Sequence, residues 1–265
     1  MILVLDVGNT NIVVGGFEGE TLRFHLRIKS DRMGTADEYM LKLKGLLEAR
    51  GVDLRAVVGG ILSTVVPELR YALCQAMELL TGKAFFVVSD RMDTGLPLRM
   101  DAPERLGADL IVGAVAALSL YRPPLVIFDM GTATTMSVVD PSGTYIGGSI
   151  IPGLRLSMDA LSAHAAQLPF IDLREPPARL IGTNTVDCMR SGAILGCAAM
   201  LDGLADRVEE ELGEPVTVVA TGGLMSTVLP YCRRTVHYEE DLLLTGLLRL
   251  YQRNAGWIPR ELGSL

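Results

Sequence analysis

The chain has 265 residues, 49% of them hydrophobic, and a formal net charge of −7. That much apolar material supplies one large core or two ordinary ones, and the acidic balance excludes a broad basic surface for nucleic acid or anionic lipid. Four cysteines (Cys74, Cys188, Cys197, Cys232) lack C-x-x-C spacing and three histidines (His25, His164, His237) lie far apart, which excludes a disulfide framework and a zinc site.

The opening MILVLDVGNT has no basic n-region and meets Asp6 early, so no signal peptide is expected. Residues 2–7, 11–17 and 21–28 read as three strands separated by glycine-containing turns, a β-meander. The period then changes. Residues 35–51 place Tyr39, Met40, Leu43, Leu46 and Leu47 on one helical face, with Thr35 as N-cap, Glu38 three residues on and Gly51 as the stop. AVVGGILST (56–64) reads as a buried strand, VPELRYALCQAMELLTG (66–82) as a helix with proline in its first turn, and AFFVVS as a short strand. A helix after Pro103 closes the first half. The apolar stretch 110–121 falls short of the roughly 20 residues needed to span a bilayer, so a soluble, cytoplasmic protein with no membrane partner is expected.

The second half repeats the pattern. Strands are expected near 125–129, 133–139 and 143–151, helices near 153–165 and 184–212, then the strand VTVVATGG and a helix over DLLLTGLLRLYQ. The fold class is therefore α/β, with two lobes, 1–122 and 123–265, joined at the paired prolines of PPLV and packed with a cleft between them.

The junctions carry the chemistry. VLDVGNTNIVV and IFDMGTATTMSVV each end an apolar strand in an aspartate, Asp6 and Asp129, before a glycine turn. Taken alone, such a turn is ordinary hairpin punctuation. A carboxylate closing an apolar strand is costly unless a cation or donor network compensates it, and the small residues after each glycine leave backbone N–H groups free to meet an anion. Two such turns facing each other would grip a polyphosphate, with Asp6 holding a hydrated magnesium ion. A third glycine turn, Gly222 and Gly223 after VVAT, offers a close-approach backbone for base and ribose. G-x-x-x-x-G-K-[ST] and G-x-G-x-x-G are absent. Asp109 stands alone in the apolar LGADLIVGAVAALSL, either as a functional carboxylate or as a first-turn acid placed by a helix break at Gly107. His164 ends a helix and receives no catalytic role.

DVGNT, DMGTATT and the late TGG resemble the acetate and sugar kinase, heat-shock 70 and actin superfamily, with two ribonuclease-H-like lobes around ATP. APERLGAD, GTYIGGSIIPGL, AAQLP, IGTNT and SGAILG further resemble the type III pantothenate kinases, in matching order over nearly the whole chain. The resemblance implies ATP-dependent phosphorylation of pantothenate, the first step of coenzyme A synthesis, with Mg2+ and a monovalent cation, K+ or NH4+. It implies a homodimer whose interface contributes to the pantothenate pocket. By position it gives Asp6 to magnesium and phosphate, Gly8, Asn9, Thr10 and Asn11 to the phosphate loop, Gly131 and Thr132 to the second ATP contact, and Asp129 to the monovalent cation. Asp109 matches the base that takes the acceptor's proton, and Gly107, Ala108 and Thr185 match pantothenate contacts. The sequence departs from the family at Leu110, where the family has an arginine, at Met100 in place of an aromatic contact, at Thr183 in place of lysine, and at Ser137 in place of an acid. These departures leave two alternatives: a degenerate member that binds nucleotide or joins a motif-complete copy as a heteromer, and a sister kinase for another small hydroxy acid.

Overall fold

A computed structural model describes residues 1–255. Strands β1 (Ile2–Val7), β2 (Asn11–Glu18) and β3 (Thr21–Lys29) form an antiparallel meander, and β4 (Gly59–Thr64) and β5 (Phe85–Val87) extend it in parallel from β1, giving the order β3-β2-β1-β4-β5. The second sheet repeats the plan. Strands β6 (Leu125–Met130), β7 (Ala133–Val139) and β8 (Tyr145–Pro152) make the meander, and β9 (Thr217–Thr221) and β10 (Val236–Tyr238) add in parallel, giving β10-β9-β6-β7-β8. Helices α1 (Ala36–Ala49), α2 (Pro67–Thr81), α3 (Ala108–Leu120), α4 (Leu154–His164), α5 (Thr185–Leu212), α6 (Met225–Val228) and α7 (Leu242–Arg253) complete the chain. The expected α/β class with a ribonuclease-H-like meander in each half is the fold observed.

Local signals explain the elements. Thr35 Oγ1 accepts from the Glu38 N–H while Glu38 Oε2 accepts from the Thr35 N–H at 2.8 Å, so the capping box starts α1 as expected. Pro67 opens α2, and Gly82, with φ 66°, closes it. In β1, Leu3, Leu5 and Val7 face Tyr39, Leu43 and Leu47 of α1 and Leu69, Leu73 and Met77 of α2. The alternate residue Val4 faces the opposite way with Ile61, against Val112 of α3 and Leu244, Leu247 and Leu248 of α7. Helices thus cover both faces of this sheet, which is why β1 reads as a continuous apolar run and not as alternation.

In the second sheet, Val126, Phe128 and Met130 of β6 pack against Ala193, Cys197, Ala198 and Leu201 of α5. By length and composition alone α5 would suffice to cross a membrane. Its buried side chains instead form part of a protein core.

The chain condenses into two compact units that differ from the expected 1–122 and 123–265 division. The first comprises Met1–Gly95, Ala102–Ser119 and the chain from Leu242; the second comprises Leu96–Asp101 and Leu120–Asp241. Helix α7 was expected with the second lobe, but its leucines complete the first sheet's outer layer. Arg249 pairs with Glu20 and Arg253 with Asp93 at 2.9 Å, fastening it there. Gly246 permits the crossing with α3, since a methyl there would stand 2.1 Å from the Val112 carbonyl oxygen. Residues 96–101 leave the first unit because Tyr145 exchanges backbone bonds with Pro97 and Arg99, both at 2.9 Å, and the Arg99 guanidinium pairs with Asp140. Residues 256–265 of the expected second lobe lie outside the described residues. The strand expected from Ala56 begins at Gly59, because Asp53 caps a 3-10 turn over Leu54–Ala56. Strand β10 and helix α6 were not anticipated.

Tyr39 is fully buried, and its hydroxyl donates to the Asp31 carbonyl at 2.8 Å and accepts from the Asp31 N–H at 2.9 Å. Tyr39→Phe leaves both backbone groups without that partner and is expected to cost about 1–3 kcal/mol, read as a lower urea midpoint at unchanged slope.

Candidate active site

The first glycine turn is built by the β1–β2 pairing. Asp6 is the penultimate residue of β1, paired with Val13 on β2 and with Ser63 on β4, and it is half-buried. Beyond it, the Gly8 N–H donates to the Asn11 carbonyl at 3.0 Å, and Asn9 and Thr10 are exposed at the tip. Two residues that the sequence did not single out hold this tip. Ser30 donates from Oγ to the Gly8 carbonyl at 2.6 Å and from its N–H to the Thr10 carbonyl at 3.0 Å, and Arg32 donates to Asn9 Oδ1 at 2.8 Å. The turn is therefore a braced loop with a guanidinium beside it, a suitable cradle for an anion. Ser30 and Arg32 follow β3 directly, and their only sequence signal is that β3 runs antiparallel back toward the turn.

Asp109 belongs to the same unit. Helix α3 begins at Ala108, so Gly107 lies outside it and Asp109 occupies the first turn. Placement at the helix start agrees with a first-turn acid, but its surroundings are not those of a solvated cap. Burial pushes the Asp109 carboxyl above its ordinary value, against the stabilising N–H groups of Leu110 and its own backbone. The Leu110 N–H to Asp109 Oδ1 distance is 2.9 Å. Gly107 makes room for this carboxylate, since a methyl there would lie 2.5 Å from Asp109 Oδ1. Val112, one turn along α3, packs in the cluster that holds Val4 of β1 and Ile61 of β4. Asp6 has the same strand parity as Val4. Asp6 and the helix that carries Asp109 thus lie on one face of the first sheet, from positions far apart in sequence.

The second unit carries its own turn. Asp129 is half-buried near the end of β6, paired with Thr135 and with Thr221 of β9. The Gly131 N–H donates to the Ala133 carbonyl at 3.0 Å, leaving Gly131 and Thr132 exposed. Gly222 follows Thr221 with φ 99°, and a methyl on it would fall 2.6 Å from the Met130 backbone nitrogen and oxygen. Only glycine fits both constraints, so the Gly222–Gly223 bend lies directly against the Gly131 turn. Thr185 opens α5, exposed, after the N-cap Asn184, whose side chain accepts from the Asp187 N–H at 2.9 Å. Met100 is half-buried in the 96–101 segment beside Tyr145. The first unit therefore unites Asp6, Gly8–Asn11 and Gly107–Leu110, and the second holds Met100, Asp129, Gly131, Thr132, Thr185, Gly222 and Gly223. Ser137 is buried and shares a 3.1 Å hydrogen bond with the Tyr145 hydroxyl, a structural role.

Among the described residues, no three His, Cys, Asp or Glu side chains gather as a cation cage. That donor set does not suit zinc. Single carboxylates beside glycine turns do suit Mg2+, which keeps most of its waters and takes further ligands from substrate phosphates.

The raised Asp109 value fixes the sign of a linkage. An acid whose folded value lies above the unfolded one gives full stability at low pH and loses it as pH rises through the interval between the two. Asp109→Asn keeps the acceptor for Leu110 and removes the buried charge. It is expected to melt above the parent chain at pH 7, with the gap closing near pH 4 in a thermal-denaturation series.

The chain matches the family described as type III pantothenate kinase over residues 2–207. It is 42% identical to a type III pantothenate kinase of Moorella thermoacetica over 96% of this chain and 100% of the relative, and 43% identical to that of an Exiguobacterium species over 96% and 99%. A solved structure from Campylobacter jejuni, described as a Baf family transcriptional activator, shares the fold at a TM-score of 0.59 and 16% identity, covering 96% of this chain and 99% of that one. With a family match over residues 2–207 and relatives of this similarity spanning almost the whole chain, the protein belongs to the type III pantothenate kinase family.

Proposed function

We propose that the chain transfers the γ-phosphoryl group of ATP to the primary hydroxyl of pantothenate in the cytoplasm, opening coenzyme A synthesis. Asp109 carries the reading: a half-buried carboxylate whose pKa is raised by desolvation, in the first turn of the helix that covers the Val4 face of the sheet, is suited to take a proton. In this reading, Asp109 accepts the acceptor's hydroxyl proton as the oxygen attacks phosphorus. Backbone N–H groups at the Asn9–Thr10 tip, braced by Ser30, hold phosphate oxygens, and the neighbouring Arg32 offsets their charge. Asp6 would hold Mg2+, which supplies charge neutralisation on the transferring phosphoryl group. In the second unit, Gly131, Thr132, Gly222 and Gly223 contact the nucleotide, and Asp129 serves the monovalent cation, K+ or NH4+. Within the first unit, Gly107, Ala108 and Leu110 beside Asp109 are the acceptor contacts; Met100 and Thr185 of the second unit are the further contacts that the family resemblance implies. Phosphoryl transfer depends on positioning and charge stabilisation, so this spare set of groups suffices.

The working form is a homodimer. Ile150 on β8, Leu156 and Leu161 on α4, and Phe170, Leu180 and Ile181 are all exposed on the second unit, with Ile150 78% and Ile181 77% accessible. Large side chains exposed together on one unit favour an interface between copies. Light scattering at micromolar concentration is expected to return twice the chain mass, and Ile150→Asp to shift it toward the monomer.

Leu110 and Met100 favour a second reading, a kinase for a different small hydroxy acid, because neither side chain can donate a hydrogen bond to a substrate carboxylate. A coupled ATP-consumption assay separates the two. Turnover is expected only with pantothenate, Mg2+ and K+ or NH4+ together, and Asp109→Asn is expected to lower kcat by about 10²–10⁴-fold. The acid limb of kcat/KM should lie above the ordinary aspartate range. Turnover with another hydroxy acid and none with pantothenate would reject the pantothenate assignment.

A further inference from the structure

Ser63 is fully buried, and its Oγ has no hydrogen-bond partner. An orphaned hydroxyl in a protein interior costs roughly 1–3 kcal/mol, so its presence calls for a partner that binds there. Three positional facts say what that partner is. Ser63 is in parallel register with Asp6 across the β1–β4 pair. Leu5 and Leu62, one residue earlier on each strand, both face the α1–α2 core, while Val4 and Ile61 both face α3 and α7. Alternation therefore sends Asp6 and Ser63 to the same side, next to each other, on the face where α3 begins with Asp109. The side chains clustered on that face, among them Ile61, Val88, Met92 and Val112, are apolar, and Asp6 is the polar neighbour in register.

We propose that Ser63 is a positioning residue for the divalent cation at Asp6, its Oγ–H donating to a water molecule in the cation's hydration shell. The inference rests on the kinase reading above and deepens it. Mg2+ held by one carboxylate keeps several waters, and groups that hydrogen-bond those waters fix the ion's place against the phosphates. A hydroxyl in register with the liganding carboxylate meets that need with a hard oxygen group and no added charge. It also explains why a small polar residue interrupts the otherwise apolar GGILS stretch of β4.

The test uses Mn2+ as a spectroscopic probe with a non-hydrolysable ATP analogue, the full chain, and no pantothenate. Ser63→Ala is expected to melt at or above the parent temperature, because it removes a buried unpaired hydroxyl, while weakening Mn2+–nucleotide binding by about tenfold in paramagnetic resonance titrations. Affinity for the analogue without any divalent ion should be unchanged. Ser63→Thr, which keeps the hydroxyl, should retain most of the parent affinity. Equal Mn2+–nucleotide affinity in the parent chain and Ser63→Ala overturns the inference and leaves the kinase reading intact, as does an equal loss in Ala and Thr variants. A parent chain that binds no metal–nucleotide complex overturns the kinase reading itself.

Discussion

A carboxylate that ends a strand covered on both faces is the constraint on which the site depends. β1 is buried because helices lie on both sides of it, and the same arrangement makes Asp6 expensive unless something positive meets it. The chain confines the expense to a strand end, where a glycine turn opens the backbone to solvent. Ser30 and Arg32 then keep that opening in one shape. Rigidity in the loop and a half-buried acid beside it come from one placement: a turn at the end of a strand covered on both faces.

The second unit uses the plan again with different support. There the turn has backbone packed against it, through the close approach of Gly222 to Met130. Each sheet has a meander whose first strand also pairs in parallel with a later strand, so the acid near its end neighbours both an antiparallel and a parallel partner. In the first sheet that parallel partner is Ser63; in the second it is Thr221. Both are small hydroxyl residues. The position beside the acid thus has the same chemical character in both sheets.

Much of this was legible in the sequence because the signals were local. The capping box at Thr35, Pro67 at the start of α2 and the two Asp-x-Gly hairpins each act within a few residues, and each forms as read. What escaped depends on contacts between distant segments. β10 has three residues, too few for a period to show, and exists because β9 offers it an edge. Residues 96–101 carry no strand pattern and are drawn to β8 by backbone bonds with Tyr145. Helix α7 was visible as a helix, but its amphipathic stripe cannot say which sheet it covers. Ser30 and Ser63 were silent for the same reason: a serine acquires its meaning from the register of a neighbouring strand, which no single-strand pattern encodes. Asp109 was the exception, since one acid in a long apolar segment is anomalous wherever the segment goes.

The return of α7 to the first sheet sets an order on assembly. Residues 1–119 contribute β1 to β5 and three helices, yet Val4, Ile61 and Val112 have no complete cover until Leu244–Leu250 exist. During synthesis the first sheet must therefore wait, half dressed, while all of the second unit's strands and helices leave the ribosome ahead of its last layer. The element made earliest is the one finished last, closed by contacts that span most of the chain.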